Sequence, residues 1–575
     1  IRALIANLQS GDIVQGLSTV TMQVAGNYFL DRREKTYTRK LKEVLLAFNL
    51  ERELSKQEIL ELYLNKIFLG QRAYGFAAAA SVYFNKTLND LSLAEIATLA
   101  GVPKAPSARN PITNPDGARV RRDYVLKRMR DLQHITEDDY LEATNAPVAA
   151  ARNIAPVEVE AAYVAEMARS YMVENYGKTA YTKGYRVYTT INSNNQTAAN
   201  RALRRGLIAY DQRHGFRGSV GFLDPDAGGD FSLVDSLQQY ASIGGLQPAV
   251  VSEVSSDSID VLLSSGDITQ INPAGWRWTA HKISSELRTG DVVYVAMKTG
   301  TTQLAQVPEI QGAIVSLDPT DGALLALTGG FDFYAGKFNR ATQARRQPGS
   351  NIKPFIYSAA LDNGFTAATL VSGTPIVVED DLGDTWRPVN YSKKVFGPTR
   401  LRRALVQSLN LVSVRLVRGL GTPLVLEHLQ QFGFDREHLP QGLSLALGAA
   451  NFTPLEMARA YGVFANGGYL IEPYFIARVE DQKGEITEYA NRTMLCPECA
   501  PPTERFTDLE LGILYDPRYS KRVLSPENAF LMNELMRSVI RTGTGRRALS
   551  LGRADLAGKT GTTNNFRDAW FSGFT

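Results

Sequence analysis

A serine and a lysine three residues apart, Ser350 and Lys353, could perform nucleophilic chemistry. At the start of a helix this spacing puts both side chains on one face, so that the lysine amine can reach the serine hydroxyl. A serine hydroxyl needs an adjacent base, and a desolvated, neutral lysine can be that base. The free N–H groups of a helix N-terminus can also stabilise an oxyanion. The same pattern is common at surface helix starts, so alone it predicts no enzyme.

Two further patterns follow Ser350 in the chain. They are Ser-x-Asn, at Ser408 and Asn410, and Lys-Thr-Gly, at residues 559–561. If the Lys-Thr-Gly residues lie on a strand, the lysine supplies a cation and the threonine hydroxyls can bind a carboxylate. The glycine lets an extended substrate approach the backbone. Earlier copies at residues 193–195 and 298–300 precede Ser350, and we interpret the second as a polar strand edge with a turn glycine. Only the later copies give the order that is typical of penicillin-binding proteins and class A β-lactamases.

Four segments, residues 346–354, 403–413, 444–461 and 558–574, closely resemble the transpeptidase domain of class A penicillin-binding proteins. The resemblance covers most of residues 311–575. It implies that the penultimate D-Ala of a stem peptide acylates Ser350. The resemblance implies that Lys353 accepts the serine proton and that Ser408 delivers a proton to the departing D-Ala. Asn410 would orient the substrate amide, and Lys559 and Thr560, beside Gly561, would bind the terminal carboxylate. The N–H groups of Ser350 and Thr562 would form the oxyanion hole.

A β-lactamase is the nearest enzymatic alternative, and it differs by hydrolysing its acyl-enzyme. Its class A form uses a glutamate for that step. The pattern that we would expect to carry it, a glutamate with an asparagine four residues later, does not occur between Ser408 and Lys559. We therefore expect a slowly deacylating transpeptidase that β-lactams inhibit covalently. Because no histidine lies near these motifs in the sequence, a Ser-His-Asp triad is not a competing explanation.

A second group of polar residues lies near the start of the chain. Residues 15–27 hold more hydroxyl and amide groups than the cap of an apolar helix uses. Arg39 and Glu43 are four residues apart, a spacing that by itself is typical of a surface ion pair. Together with residues 59–65 and the loop 106–111, they follow in order the motifs of the peptidoglycan glycosyltransferase family. The chain resembles this family up to about residue 130.

This second resemblance implies a site for a lipid-linked diphosphate, whose developing negative charge cations and hydroxyl groups would stabilise. Glu43 would be the second carboxylate of the catalytic set. The groups that would hold the diphosphate are Thr19, Gln23, Asn27, Arg39 and Lys40. A divalent cation, Mg²⁺ or Mn²⁺, is the cofactor expected for glycosyl transfer, and none is expected for transpeptidation.

The sequence departs from the glycosyltransferase pattern in three places. Leu17 replaces a second glycine, and Gly26 occupies a position where the family usually carries a cation. The first motif of the family, with its catalytic glutamate, would lie upstream of Ile1. We therefore interpret the chain as a fragment cut at both ends, and we expect the chain as it stands not to polymerise glycan.

The composition of the chain indicates some classes of protein and excludes others. The 575 residues are 44% hydrophobic and 21% charged, which indicates several folded domains. A net charge of +4 is too small to indicate a nucleic-acid partner, and no apolar run is long enough to span a bilayer. The only cysteines, Cys496 and Cys499, cannot form a four-thiolate zinc site. We expect them to form a loop disulfide in an oxidising compartment, with two free thiols as the alternative.

Local signals predict the elements that position the motifs. Capping-box patterns at Ser55 and Ser92 predict helices that start near these residues. A strand at 187–191 precedes a helix at 196–210. Short runs of β-type residues predict strands at 249–254, 259–263 and 292–297, and the turn residues 318–322 predict a hairpin over 313–327. Residues 570–575 are typical of an unfinished final strand.

We therefore predict a multi-domain chain. Its parts are a mostly α, lysozyme-like glycosyltransferase domain at 1–150, a linker region at 151–214, a small OB-like β insert at 215–308, and an α/β transpeptidase domain at 309–575, with an antiparallel sheet flanked by helices. The insert makes the chain most similar to class A proteins of the 1A type.

The resemblance also implies where the chain works and what it meets. The location would be the periplasmic side of the inner membrane, with an N-terminal helix, absent here, as the anchor. The partners would be lipid II, nascent peptidoglycan and β-lactams, with no nucleic acid. The alternative from another class is a non-catalytic scaffold that binds the cell wall. Intact Ser350, Lys353 and Lys559 argue against it for the transpeptidase domain, but nothing comparable excludes it for the first domain.

Overall fold

The computed structural model divides the chain into two compact units, Ile1–Glu158 and Val159–Thr575. Each unit is described by itself. The structure describes residues 18–30, 36–71, 73–148, 150, 157–225, 229–279, 283, 286–298, 300–379, 385–490, 492–495, 506–508, 513–515 and 518–575. Cys496 and Cys499 lie outside these residues, so their disulfide stays a prediction.

The first unit is helical. Both predicted capping boxes are present, because Ser55 and Ser92 each accept from the backbone of a glutamate three residues later, whose carboxylate accepts in return. The core is built from aliphatic side chains and alanines around the fully buried Tyr83. The helices are α1 (Val20–Phe29), α2 (Tyr37–Glu53), α3 (Lys56–Lys66), α4 (Phe76–Phe84), α5 (Leu93–Gly101), α6 (Pro115–Asp131) and α7 (Glu137–Asn145).

The second unit mixes helices and strands. Its helices are α8 (Ala162–Tyr176), α9 (Ser193–Gln212), α10 (Gly229–Leu237), α11 (Pro273–Trp276), α12 (Lys353–Asp362), α13 (Leu401–Val406), α14 (Asn410–Leu420), α15 (Thr422–Gln431), α16 (Pro454–Ala465) and α17 (Pro526–Thr542). Its strands are β1 (Arg186–Thr189), β2 (Gly221–Phe222), β3 (Gln247–Val254), β4 (Ile259–Leu263), β5 (Ile268–Ile271), β6 (Asp291–Lys298), β7 (Thr301–Ala305), β8 (Ile314–Leu317), β9 (Leu324–Thr328), β10 (Leu370–Ser372), β11 (Val378–Glu379), β12 (Thr385–Trp386), β13 (Pro398–Arg400), β14 (Tyr469–Leu470), β15 (Ile476–Glu480), β16 (Ile486–Tyr489), β17 (Thr493–Met494), β18 (Phe506–Asp508), β19 (Ile513–Tyr515), β20 (Arg518–Tyr519), β21 (Lys521–Arg522), β22 (Ala557–Thr562) and β23 (Ala569–Phe574).

The β-rich insert is a small barrel. Its strands pair in the order β2-β6-β3-β4-β5-β7, and an additional β6–β7 pairing closes the sheet on itself. Alternate residues of β3, β4 and β6 fill the interior, as the period of a half-buried strand requires. A closed barrel of this kind is OB-like. Gly300, with a φ of +76°, turns the chain from β6 into β7, so the early Lys-Thr-Gly copy lies at a strand turn as predicted.

The segment predicted as a linker is structured where the structure describes it. β1 pairs antiparallel with β15, which in turn pairs with β16. α9 begins at Ser193, three residues before the predicted start, because the Asn192 side chain caps it by accepting from two backbone N–H groups. The early Ser-x-Asn copy is therefore part of a helix start. β1 ends at Thr189, two residues before the predicted strand end.

The helix that carries Lys353 is at the centre of the last domain. Residues 353–360 of α12 are all buried, which is the pattern of a helix surrounded by protein. The Phe355 ring packs at 5.0 to 5.3 Å against the rings of Phe432, Phe434, Tyr461 and Phe464. The predicted hairpin at 313–327 is β8–β9, and the predicted final strand is β23, paired antiparallel with β22. Helices flank these strands, with α17 against β22 and α9 against β9.

Candidate active site

Ser350 lies in a one-turn 3₁₀ helix, Gly349–Ile352, that leads directly into α12. The turn packs against β22 backbone to backbone. Gly349 has a φ of +54°, and a Cβ there would lie 2.6 Å from the Thr562 carbonyl oxygen. A Cβ on Gly561 would lie 2.2 Å from the Pro348 carbonyl oxygen. The Ser350 turn and the Lys-Thr-Gly strand are therefore fixed to each other.

The packing around Gly561 gives a structural reason for a glycine at this position. The sequence suggested that this glycine lets an extended substrate approach the strand. In the structure the space that its Cβ would fill belongs to the backbone of the Ser350 turn, with Pro348 O at 2.2 Å and Asn351 N at 3.1 Å. Gly561 is thus required by packing within the chain, and its predicted contact with substrate stays a prediction.

Lys353 reaches the Ser-x-Asn motif. Its Nζ donates to the Ser408 carbonyl oxygen at 2.8 Å, to Ser408 Oγ at 3.3 Å and to Asn410 Oδ1 at 2.7 Å. The side chain of Lys353 is fully buried, whereas Ser350 is partly exposed. Among the described residues no hydrogen bond joins Lys353 to the Ser350 hydroxyl, so the direct contact expected from the spacing is not formed in this state.

Ser408 is held between two lysines. Lys559 Nζ donates to Ser408 Oγ at 3.0 Å and to the Thr560 carbonyl oxygen at 2.8 Å. The backbone of Ser408 has a φ of +55°, a left-handed conformation that costs energy in a residue other than glycine. It lets both the carbonyl and the hydroxyl of Ser408 meet Lys353. No sequence signal predicts this strain.

The two lysines share a buried environment. Lys353 and Lys559 are both fully buried, and the side-chain and backbone atoms that accept their hydrogen bonds are uncharged. Burial lowers the pKa of Lys559 to about 7. The pKa of Lys353 lies well below its ordinary value, first because of burial and second because the charge of Lys559 is nearby. The pair can therefore hold a neutral amine near neutral pH.

Two side chains that sequence reasoning missed hold the motifs in place. The Asn390 carboxamide oxygen accepts from the backbone N–H groups of Asn410, at 2.9 Å, and Leu411, at 3.2 Å. The Thr544 hydroxyl lies 2.6 Å from the Thr560 hydroxyl, a hydrogen bond in which either group can donate. Asn390 is 18 residues before Ser408 and Thr544 is 16 residues before Thr560, so no short-range pattern reveals either contact.

One histidine does lie near a serine and an aspartate. His428 Nε2 is 3.0 Å from Ser358 Oγ, and its Nδ1 is 3.6 Å from Asp362. Ser358 is fully buried, and burial lowers the pKa of His428 to about 4. This group ties α12 to α15 inside the core and offers no hydroxyl to a substrate.

In the first unit the predicted diphosphate site forms where α1 meets α2. Glu43 is buried and accepts from Arg39 Nη1 at 2.9 Å and from Lys40 Nζ at 2.5 Å. Lys40 Nζ also donates to Ser18 Oγ at 2.5 Å. Gly26 lies beside this ion-pair cluster, because a Cβ there would be 3.6 Å from Glu43 Oε2.

The other predicted diphosphate groups lie along α1. Thr19 caps the helix by accepting from the Met22 N–H, and Gln23 and Asn27 follow at intervals of four residues on the same face. Asn27 Nδ2 and Arg39 Nε are buried without a hydrogen-bond partner. The unpaired Asn27 amide and the Arg39 and Lys40 cations are groups that suit an anion.

The divalent cation expected for glycosyl transfer stays a prediction. The described residues contain no cluster of three or more histidine, cysteine, aspartate or glutamate side chains that could hold a metal ion, but Mg²⁺ is commonly bound through one or two carboxylates together with substrate phosphates. Both oxygens of Glu43 already accept from cations. Likewise, none of the helices in the described ranges is long and apolar enough to cross a bilayer.

Comparison with known proteins places these sites in a family. The sequence model of the transglycosylase family matches residues 1–130, that of the penicillin-binding protein OB-like domain matches 216–310, and that of the penicillin-binding protein transpeptidase domain matches 312–575. Together with the Ser350, Ser408 and Lys559 motifs, this order defines a bifunctional peptidoglycan synthase with transglycosylase and transpeptidase domains.

Relatives that match the whole of this chain show which family within this class it belongs to. Penicillin-binding protein 1A of Pseudomonas aeruginosa is 44% identical, over all of this chain and 74% of its own length. That of Vibrio cholerae is 43% identical, over all of this chain and 73% of its length. A crystal structure of penicillin-binding protein 1A from Haemophilus influenzae is 39% identical and has a TM-score of 0.78, over 96% of this chain and 81% of that one. The chain belongs to the penicillin-binding protein 1A family, so the resemblance and the fold class inferred from the motifs are confirmed.

Proposed function

We propose that Ser350 is the nucleophile of D,D-transpeptidation and that the Lys353–Ser408–Lys559 cluster moves its protons. The observation that carries this proposal is the position of Ser408 Oγ, within 3.3 Å of one buried lysine amine and 3.0 Å of the other. A neutral amine here can accept a proton, and the neighbouring hydroxyl can pass one on.

The reaction then proceeds in two balanced steps. Ser350 Oγ attacks the carbonyl between the two terminal D-Ala residues as Lys353 accepts the hydroxyl proton. The C–N bond breaks, and the departing D-Ala amine receives a proton through Ser408. In the second step the amine of another stem peptide attacks the ester, gives up a proton along the same route, and restores the Ser350 hydroxyl.

The strand β22 supplies the binding groups. Lys559 and the Thr560 hydroxyl would bind the terminal carboxylate, and Asn410 would orient the substrate amide. The backbone N–H groups of Ser350 and Thr562 would bind the oxyanion. The close packing of Gly349 on Thr562 supports this assignment, since it fixes the two segments relative to each other.

A β-lactam tests the assignment, because its ring carbonyl mimics the scissile amide. Intact-mass measurement after incubation with benzylpenicillin should show one retained drug mass on the wild-type chain and none on Ser350→Ala. Ser358→Ala is the matched control, since Ser358 is the serine beside His428, and it should keep the adduct. An adduct on Ser350→Ala, or rapid turnover of the drug by the wild type, would refute the proposal.

We propose further that the first unit binds the diphosphate of lipid II through the side chains of Asn27, Arg39 and Lys40. The Lys40 contacts with Glu43 and Ser18 support this, because they hold the ammonium at the start of α1. Lys40→Met should weaken binding of a water-soluble lipid II analogue in a titration. Lys42→Met is the control on the exposed side of the same helix, and an equal loss there would contradict the assignment.

We propose the periplasmic side of the inner membrane as the location. The support is a stripe of exposed apolar side chains on α2, namely Leu41, Leu45 and Phe48, at spacings that put them on one face. An apolar face beside cations suits contact with the surface of a lipid bilayer. Vesicle flotation should retain the wild-type chain more strongly than Phe48→Ser, and equal retention would refute this contact.

A further inference from the structure

A cavity of about 800 Å³ lies between α8 and the loop that follows β9. It shares no lining residue with the site around Ser350. Its volume is in the range of sites for organic ligands. One wall is a single face of α8, from Tyr163 through Met167 and Ser170 to Glu174, at helical spacing.

Aromatic rings line the apolar part of the cavity. Phe333 packs edge-on against Tyr163, with centroids 5.1 Å apart, and Phe475 packs edge-on against Tyr171 at 6.3 Å. Phe333 and Phe475 are only partly buried, so each presents some apolar ring surface to the cavity. Such surfaces suit the C–H face of a sugar ring.

The polar lining has unused hydrogen-bonding capacity. Asn339, which is only 7% exposed, holds the loop through its Oδ1, which accepts from the Ala341 N–H at 3.1 Å. Among the described residues no hydrogen bond is found for the hydroxyl of Ser170 or Thr342, both of which line the cavity. Two unused hydroxyl groups are therefore available to a ligand in this cavity.

The charges of the lining balance. Glu166 pairs with Arg169 at 2.6 Å, and Glu174 and Lys337 add one charge of each sign. The cavity therefore has no field that would select a polyanion. Aromatic lining, two unused hydroxyls and no net charge together fit an uncharged carbohydrate.

We propose that this cavity binds the N-acetylated sugar rings of a peptidoglycan strand. The inference rests on the proposed function, since that polymer is its substrate. The wall that contains Asn339 and Thr342 continues along the chain into the turn of Ser350, eight residues after Thr342. A strand held here would be bound by the same compact unit that carries Ser350.

The test is calorimetric titration of the full chain with a tetramer of β-1,4-linked N-acetylglucosamine, after Ser350 has been acylated with benzylpenicillin. Ser170→Trp fills the cavity and should weaken binding by about tenfold or more. Ser170→Ala with Thr342→Val keeps the volume but removes both hydroxyls, and should weaken binding about fivefold, as the loss of one net hydrogen bond would. Ala165→Trp, on the exposed face of α8, is the matched control and should change nothing.

The outcomes are separable from those of the proposed function. All three variants should acylate with benzylpenicillin at the wild-type rate, because none touches the lysine cluster. Equal tetramer affinity in Ser170→Trp and wild type would overturn the cavity assignment. So would an absence of tetramer binding by the wild type, which would leave the cavity to a peptide segment. Failure of the wild type to form the penicillin adduct would instead refute the transpeptidase assignment.

Discussion

Replacing Lys353 by arginine and by methionine separates two roles that this lysine could have. As a base it must lose its proton, and burial together with the charge of Lys559 holds its pKa well below the ordinary value. As a cation it would only need its charge. Arginine keeps the charge but cannot act as a base at these pH values. Methionine fills a similar volume and has neither property.

The expected loss follows from the reaction and from the contacts. General-base catalysis typically contributes about 10² to 10⁴ in rate, equivalent to about 3 to 5 kcal/mol of barrier. Both variants should therefore acylate Ser350 more slowly by about that factor. Loss of the bonds to Ser408 and Asn410, at 2.8 and 2.7 Å, also leaves partly buried acceptors without this donor. That effect is on the order of 1 to 3 kcal/mol for each group and appears in the melting temperature.

The assay is the second-order rate constant for acylation by benzylpenicillin, followed by intact mass, with thermal melting as the control for folding. Lys483→Met, which removes an exposed lysine in the turn between β15 and β16, should acylate like the wild type. If Lys353→Arg stays folded and acylates within tenfold of the wild type, Lys353 acts as a cation and our assignment of the base is wrong.

Three further predictions concern single contacts. The pKa of Lys559 is about 7 in the native chain and about 10.4 in the unfolded chain, so the unfolded chain binds more protons between these pH values. From about pH 7 to 10, the unfolding free energy of the wild type should therefore rise by on the order of 4 kcal/mol relative to that of Lys559→Met. Denaturant melts in which both proteins show the same pH dependence would contradict this. Gly26→Arg should bind the lipid II analogue about fivefold more tightly than Gly26→Ala. Both variants remove the helix glycine, but only Gly26→Arg adds a cation beside Glu43. Equal affinities of the two variants would contradict this prediction. Asn390→Ala should slow acylation of Ser350 about tenfold. Asn390→Asp should restore the rate, because aspartate keeps the oxygen that accepts from the Asn410 and Leu411 N–H groups. If Asn390→Asp is as slow as Asn390→Ala, this acceptor does not position Asn410.

The elements that the sequence predicts well are those with local causes. The helix starts at Ser55 and Ser92 depend on a side chain and a backbone N–H three residues apart, and both are where the pattern puts them. Strands β3, β4 and β6 depend on a run of β-type residues within one segment. Boundaries are less accurate where a cap of another type intervenes, as Asn192 does at the start of α9.

The geometry of the site depends on contacts that are distant in sequence. The motifs predict which residues meet, since Lys353, Ser408, Asn410 and Lys559 do lie together. They do not predict that Lys353 bonds to Ser408 rather than to Ser350, or that Asn390 holds Asn410. Those choices depend on the packing of separate segments, which no spacing within a motif records.

The two sites handle buried charge in opposite ways, and this difference determines how each can respond to substrate. Glu43 is buried against Arg39 and Lys40, so its charge is compensated and the cluster keeps its cations ready for an anion. Lys353 and Lys559 are buried among uncharged acceptors, so the protein lowers the cost of burial by releasing a proton. The carboxylate of an arriving stem peptide would supply the missing negative charge. Binding of substrate would then favour the protonated form of the lysine nearer to it, Lys559, and leave the other amine, Lys353, as the base.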